Sequence, residues 1–98
     1  QGITMLREVL LEDPKNETAL FNMGMLSIQS GQYDRAIERL EELLKINPSH
    51  VQAQLLLGVA LMNTGDKERA RVQFEKVKQM DQDPAVQATV DSYLDDLK

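Results

Sequence analysis

Chemistry needs a constellation of side chains, and this 98-residue sequence holds few groups from which one could be assembled. His50 is its only histidine, and there is no cysteine to supply a thiolate nucleophile, a zinc ligand or a disulfide. A base or ligand needs a partner that orients it, and His50 has none nearby in sequence. It falls in the first turn of a helix, where the dipole disfavours a cation, and reads as a solvent-facing turn residue. Glu38, Glu41 and Glu42 alternate with Arg35, Arg39 and Lys45, which describes a salt-bridged helix face and not an acid–base pair. Asp81 and Asp83 flank Gln82 just before Pro84. A calcium loop would need more oxygens and a glycine turn, so capping is the simpler role. The glycines are dispersed and form no loop that could cradle a phosphate. These readings predict no catalytic residue, no cofactor and no metal: the chain is expected not to be an enzyme.

The charge balance narrows the partners. The formal net charge is −5, and an acidic chain is repelled by phosphate backbones. Lys67, Arg69, Arg71, Lys76 and Lys78 are interrupted by Asp66, Glu68 and Glu75, so they form a solvated face and no nucleic-acid patch. Apolar residues make up 42% of the chain and charged ones 28%, which suits a folded domain. The longest apolar stretch, Leu55 to Met62, is far short of the ~20 residues a bilayer needs. No leader peptide is visible, and cytoplasmic and periplasmic sites both stay open. The first helix pattern is already under way at Gln1, which predicts a piece cut from a longer protein.

The elements that would position any site are helical. Met5, Leu6, Val9 and Leu10 share one face of a first helix, which Asp13-Pro14 stops. Asn16 caps a second helix that Gly31 closes. A third, from Tyr33 to Ile46, has the stripe Ala36, Ile37, Leu40, Leu43 and Leu44, with Glu41 and Lys45 placed as an i, i+4 pair. Asn47-Pro48 ends it. Ser49 is then expected to cap the fourth helix, with Gln52 completing a capping box. Gly65 ends the fourth helix and Asp66 caps the fifth, whose apolar set is Ala70, Val72, Phe74, Val77 and Met80. Pro84 opens the last helix, which carries Val86, Val90, Tyr93, Leu94 and Leu97. The turns are short enough to make neighbours antiparallel. The expectation is an all-α fold of six antiparallel helices arranged as a row of hairpins.

Two segments superpose with a shift of 34 residues: Gly24 falls on Gly58, Gly31 on Gly65, Ala36 on Ala70, Leu40 on Phe74 and Leu43 on Val77, while Pro48 falls back on Pro14. A fixed period of this length marks a solenoid. The residues at these positions resemble the tetratricopeptide repeat family. Leu20, Met23 and Gly24, then Gln54, Leu57 and Gly58, stand where its first helices carry a bulky residue, a leucine and a glycine. The usual bulky residue becomes Gln54 in the later repeat. The usual first-helix aromatic is Ser27 and then Leu61, and Lys67 replaces the second-helix aromatic that Tyr33 keeps. Pro84 arrives two residues late, which suggests a longer connection over Gln79 to Asp83. The resemblance implies a right-handed superhelix. It divides the chain into the second helix of a partial repeat (1–16), repeats at 17–50 and 51–84, and a capping helix over 85–98.

The resemblance also implies a site. In this family the first helices of successive hairpins line a concave groove. The residues one place beyond the packing positions are Phe21, Met25 and Ile28, then Leu55, Val59 and Met62, each set at i, i+4, i+7. Asn22 and Gln52 border them. The alternative reading is that these side chains pack against the preceding hairpin. Some members clamp acidic C-terminal tails with lysine, arginine and asparagine. Asn22 matches one clamp position, but Phe21, Met25 and Gln52 stand where basic or polar groups would be wanted. The expected function is a non-catalytic module holding a peptide or helix of a partner protein. The competing expectation is self-association into a homo-oligomer.

Overall fold

A computed structural model describes residues 16–98 of the chain. The first expected helix, with Met5, Leu6, Val9, Leu10 and Pro14, lies outside the described residues. Within them are five α-helices and no strand: α1 (Glu17–Gln29), α2 (Tyr33–Ile46), α3 (Val51–Asn63), α4 (Lys67–Met80) and α5 (Pro84–Asp96). Each helix packs on the next, and α1 also packs on α3. The result is a helical solenoid in which α1 with α2 and α3 with α4 form the hairpins.

Local chemistry places the ends. The Asn16 side chain accepts from the Ala19 N–H at 2.9 Å and starts α1. At the far end Gln32 N–H bonds Ser27 O and Gly31 N–H bonds Ile28 O, at 2.7 and 3.1 Å. These are the paired bonds of a Schellman cap, which demands a left-handed residue between them. Gly31 supplies it at φ 78°. The same cap closes α3, with Asp66 N–H on Leu61 O, Gly65 N–H on Met62 O and Gly65 at φ 88°.

The hairpins close on glycine. A Cβ built on Gly24 would lie 2.8 Å from Leu40 Cγ, and one built on Gly58 would lie 2.7 Å from Phe74 Cε1. No side chain fits in either crossing. Around them Leu20, Leu40, Leu43, Leu61, Phe74 and Val77 are fully buried and form one continuous core. Val90 and Leu97 attach α5 to that core, and the Tyr93 ring stacks on Phe74 at 5.0 Å between centroids and 2° between planes.

Four local expectations are corrected. Ser49 is not the cap of α3. Its own N–H bonds Asn47 Oδ1 at 3.2 Å, and this turn pushes the helix start one residue on, so that His50 Nδ1 accepts from the Ala53 N–H at 3.1 Å. Glu41 does not pair with Lys45; it reaches Arg69 of α4 at 3.3 Å. Val72 is 50% exposed, because the buried face of α4 runs through residues 70, 74 and 77 and position 72 turns away from it. The α4–α5 connection is not longer. It comprises residues 81–83, one fewer than the 47–50 link before α3. Pro48 sits in a turn, whereas Pro84 is itself the first residue of its helix.

Candidate functional site

The two apolar stripes lie on α1 and α3, two helices that touch. All six stripe residues are half-buried. Phe21, Ile28, Leu55, Val59 and Met62 rest on the core and keep an exposed side. Asn22 is half-buried at the margin and Gln52 is exposed.

Phe21 does more than line a surface. Its ring stacks on His50 at 5.2 Å with 23° between planes. His50 thus holds two jobs at once: it caps α3 through Nδ1 and covers Phe21 of the preceding repeat. Accepting at Nδ1 leaves the ring proton on Nε2. This is a joint between repeats, and it replaces the solvent-facing turn histidine expected from the sequence. Next to it, Asn47 Nδ2 at the end of α2 donates to Glu17 Oε1 at the start of α1 at 2.9 Å, a tie within the first hairpin.

Beyond that joint, a cavity of about 500 Å³ opens between the starts of α3 and α5, lined by Asn47, His50, Val51, Gln52, Leu55, Asp81 and Val86. The structure therefore brings Gln52 and Leu55 together in one concavity, whereas Val59 and Met62 lie further along α3 and Met25 and Ile28 lie on α1. Sequence reasoning missed Asn47, His50, Val51, Asp81 and Val86 as lining residues. The run Asn47-Pro48-Ser49-His50 carried the signal for His50, since an Asn side chain that bonds the backbone two residues on delays a helix start.

The electrostatics of this face are one-sided. Glu17 is the only charged residue of α1, α3 has none, and the charged residues of α5 are Asp91, Asp95 and Asp96. Every lysine and arginine of the five helices lies on α2 or α4. Among the described residues no set of three or more histidine, cysteine, aspartate or glutamate side chains is arranged to hold a metal ion. No helix among them is long and apolar enough to cross a membrane.

Comparison with known proteins bears on the same features. A model of the tetratricopeptide repeat matches residues 1–45 and 27–91. A Drosophila melanogaster protein described as a BBSome complex member, BBS4 homolog, is 31% identical over 79 residues, which cover 81% of this chain and 16% of that protein. A TPR repeat-containing protein of Pseudomonas aeruginosa is 32% identical over 82 residues, covering 84% of this chain and 34% of its own. The chain thus spans about a third or less of the length of these relatives. Among solved structures, the first TPR of Spaghetti (RPAP3), bound to an HSP90 peptide SRMEEVD, superposes with a TM-score of 0.88 over 97% of this chain and 73% of that one, at 17% identity. At that identity the likeness is one of fold.

Proposed function

The chain belongs to the tetratricopeptide repeat family, and from that premise we propose that it is a non-catalytic protein-interaction module whose α1–α3 groove holds a segment of another protein. The observation that carries this reading is the pair of half-buried apolar stripes on adjacent helices. Phe21, Met25 and Ile28 lie on α1 and Leu55, Val59 and Met62 on α3, and Asn22 and Gln52 are the rim in this reading. Core residues would be hidden, and solvated residues would be polar. Side chains held half-open in line suit a ligand that completes their burial, and methionine adapts its shape to what it meets.

Charge selects the ligand. The solved relative holds a peptide rich in carboxylates, and carboxylates need cations to replace their water. The groove helices here carry none. The preferred segment is therefore apolar along its length and free of clustered acids. In this reading the repeats at 17–50 and 51–84 supply the groove helices and 85–98 close the row.

A peptide-display selection against the chain tests this. Among the selected peptides, those that lose affinity for the Met25→Ser, Val59→Ser double variant should be apolar and poor in aspartate and glutamate, while the variant's circular-dichroism spectrum keeps its helical form. A selection that yields no peptide sensitive to the double variant would remove the groove as the site. Sedimentation of the chain alone adds the other arm: a dimer displaced by no peptide would assign the stripes to self-association.

A further inference from the structure

The two hairpins are joined chiefly where α2 packs on α3, and a cleft of about 530 Å³ remains between α2 and α4. That volume is ordinary for a small-ligand or side-chain pocket. Its floor is Gln54 and Leu57 of α3, both buried, and its walls carry Leu44 and Lys45 from α2 and Gln73, Lys76 and Met80 from α4. The one carboxylate on the lining, Glu41, is taken up by Arg69. Lys45 and Lys76 have no ion-pair partner among the described residues.

The floor is polar where the repeat pattern calls for a bulky apolar residue. Gln54 donates to the side-chain carbonyl of Gln73. That bond uses one donor and one acceptor, so Gln73 keeps both of its N–H groups and Gln54 keeps its carbonyl. Among the described residues no other side chain engages these groups. An amide pair of this kind recognises a peptide backbone, which presents one donor and one acceptor per residue. Beside it, Leu44, Leu57 and Met80 give the cleft an apolar lining, and Lys45 and Lys76 stand on opposite walls.

We propose that the α2–α4 cleft is a second docking site, for a short peptide segment that carries a large apolar side chain flanked by carboxylates. The charge segregation argues for this occupant. Among the described residues the cleft's Lys45 and Lys76 have no ion-pair partner, and the helices α1 and α3 carry no cation. The two faces therefore take segments of different chemistry, and the second site does not depend on the first.

Titration of the ¹⁵N-labelled chain tests it with two probes, each an acetylated and amidated tetrapeptide. One is glutamate-phenylalanine-leucine-glutamate; the other has lysine at both ends. The acidic peptide is expected to shift the backbone amides of Lys76 and Gln79 and the side-chain amides of Gln54 and Gln73, and the basic one to leave them unmoved. Lys45→Gln with Lys76→Gln is expected to weaken the acidic peptide by about tenfold while the spectrum of α1 stays unchanged. Four outcomes would overturn the site. These are equal binding of both peptides, unchanged affinity in the double variant, shifts confined to Met25 and Val59, and no shift at Lys76 with about 5 mM peptide. Concentration-dependent shifts at Lys76 without peptide would assign the cleft to a second copy of the chain and also overturn the proposal.

Discussion

The Phe74 ring occupies the space in which a side chain at position 58 would begin, with Cε1 2.7 Å from where a Cβ would stand. Glycine inside a helix costs roughly 1 kcal/mol against alanine, so Gly58→Ala would stabilise α3 if local propensity decided. The flat ring leaves no room, and the aromatic face is fixed from behind by Tyr93. Gly58→Leu is expected to lose about 1–3 kcal/mol, read as a lower urea midpoint. Phe74→Leu in the same chain should recover part of the loss, because a branched side chain yields where a ring cannot. An unchanged midpoint in Gly58→Leu would break the register of the hairpin.

His50 is expected to matter for stability. His50→Ala removes the cap on the Ala53 N–H and the stack on Phe21, and should cost about 1 kcal/mol from the cap alone. His50→Asn keeps an acceptor and loses the ring. Its midpoint should lie between the two, and the gap between Asn and the native residue measures the stack.

The groove stripes should tolerate polar substitution better than the core does. Met25→Ser and Val59→Ser each remove a side chain already half in water, and about 1 kcal/mol apiece is expected. Leu57→Ala, two positions from the nearest stripe residues but buried, should lose about 2–5 kcal/mol. Equal losses at all three sites would place the stripe in the core.

The closing helix separates ionic from apolar attachment. Lys78 and Asp91 approach to 2.6 Å, yet their side chains are 36% and 55% exposed, and exposed pairs contribute under about 1 kcal/mol. The Tyr93–Phe74 stack is more sheltered. Tyr93→Ala should lower the thermal midpoint more than Asp91→Ala does, and only the Asp91 effect should shrink in 1 M salt, where the screening length falls to about 3 Å.

Gly65 and Gly31 have nothing within 4 Å of a built Cβ, so any cost of substitution there comes from the backbone. At φ 88°, Gly65→Ala is expected to lose about 1–2 kcal/mol. Asn tolerates this conformation better, and Gly65→Asn should lose less. Equal midpoints for Ala and Gly would mean that the turn does not need the left-handed residue.

Much of the fold was readable in sequence because its determinants repeat. Gly24 and Gly58 declare themselves by sharing a phase, and Gly31 and Gly65 by following an apolar run. What failed had a cause outside the local window. Ser49 is the stronger capping type, but Asn47 two residues earlier captures its N–H. Lys45 is the local partner of Glu41, but Arg69 on the next hairpin comes nearer. Gln54 looked like a weakened packing residue until Gln73 was seen to meet it. Val72 was different: a strict helical count from Ala70 and Phe74 would have set it outside. For the candidate site, the spacing marked the stripes, while the joint made by Phe21 and His50 depends on a contact between repeats that no single-helix pattern encodes.

Among the described residues every helix packs on its immediate neighbours, and α1 also reaches α3. Such a chain lacks the far-reaching contacts that make a globule melt all at once. Its ends can open while the middle holds, and amide exchange should be graded along the sequence, fastest in α5 and slowest near Gly58. A ligand lying across both stripes would touch two hairpins at once. It would act as a splint, converting sequential opening into a single concerted event, so that occupancy would sharpen the unfolding transition as well as raise its midpoint.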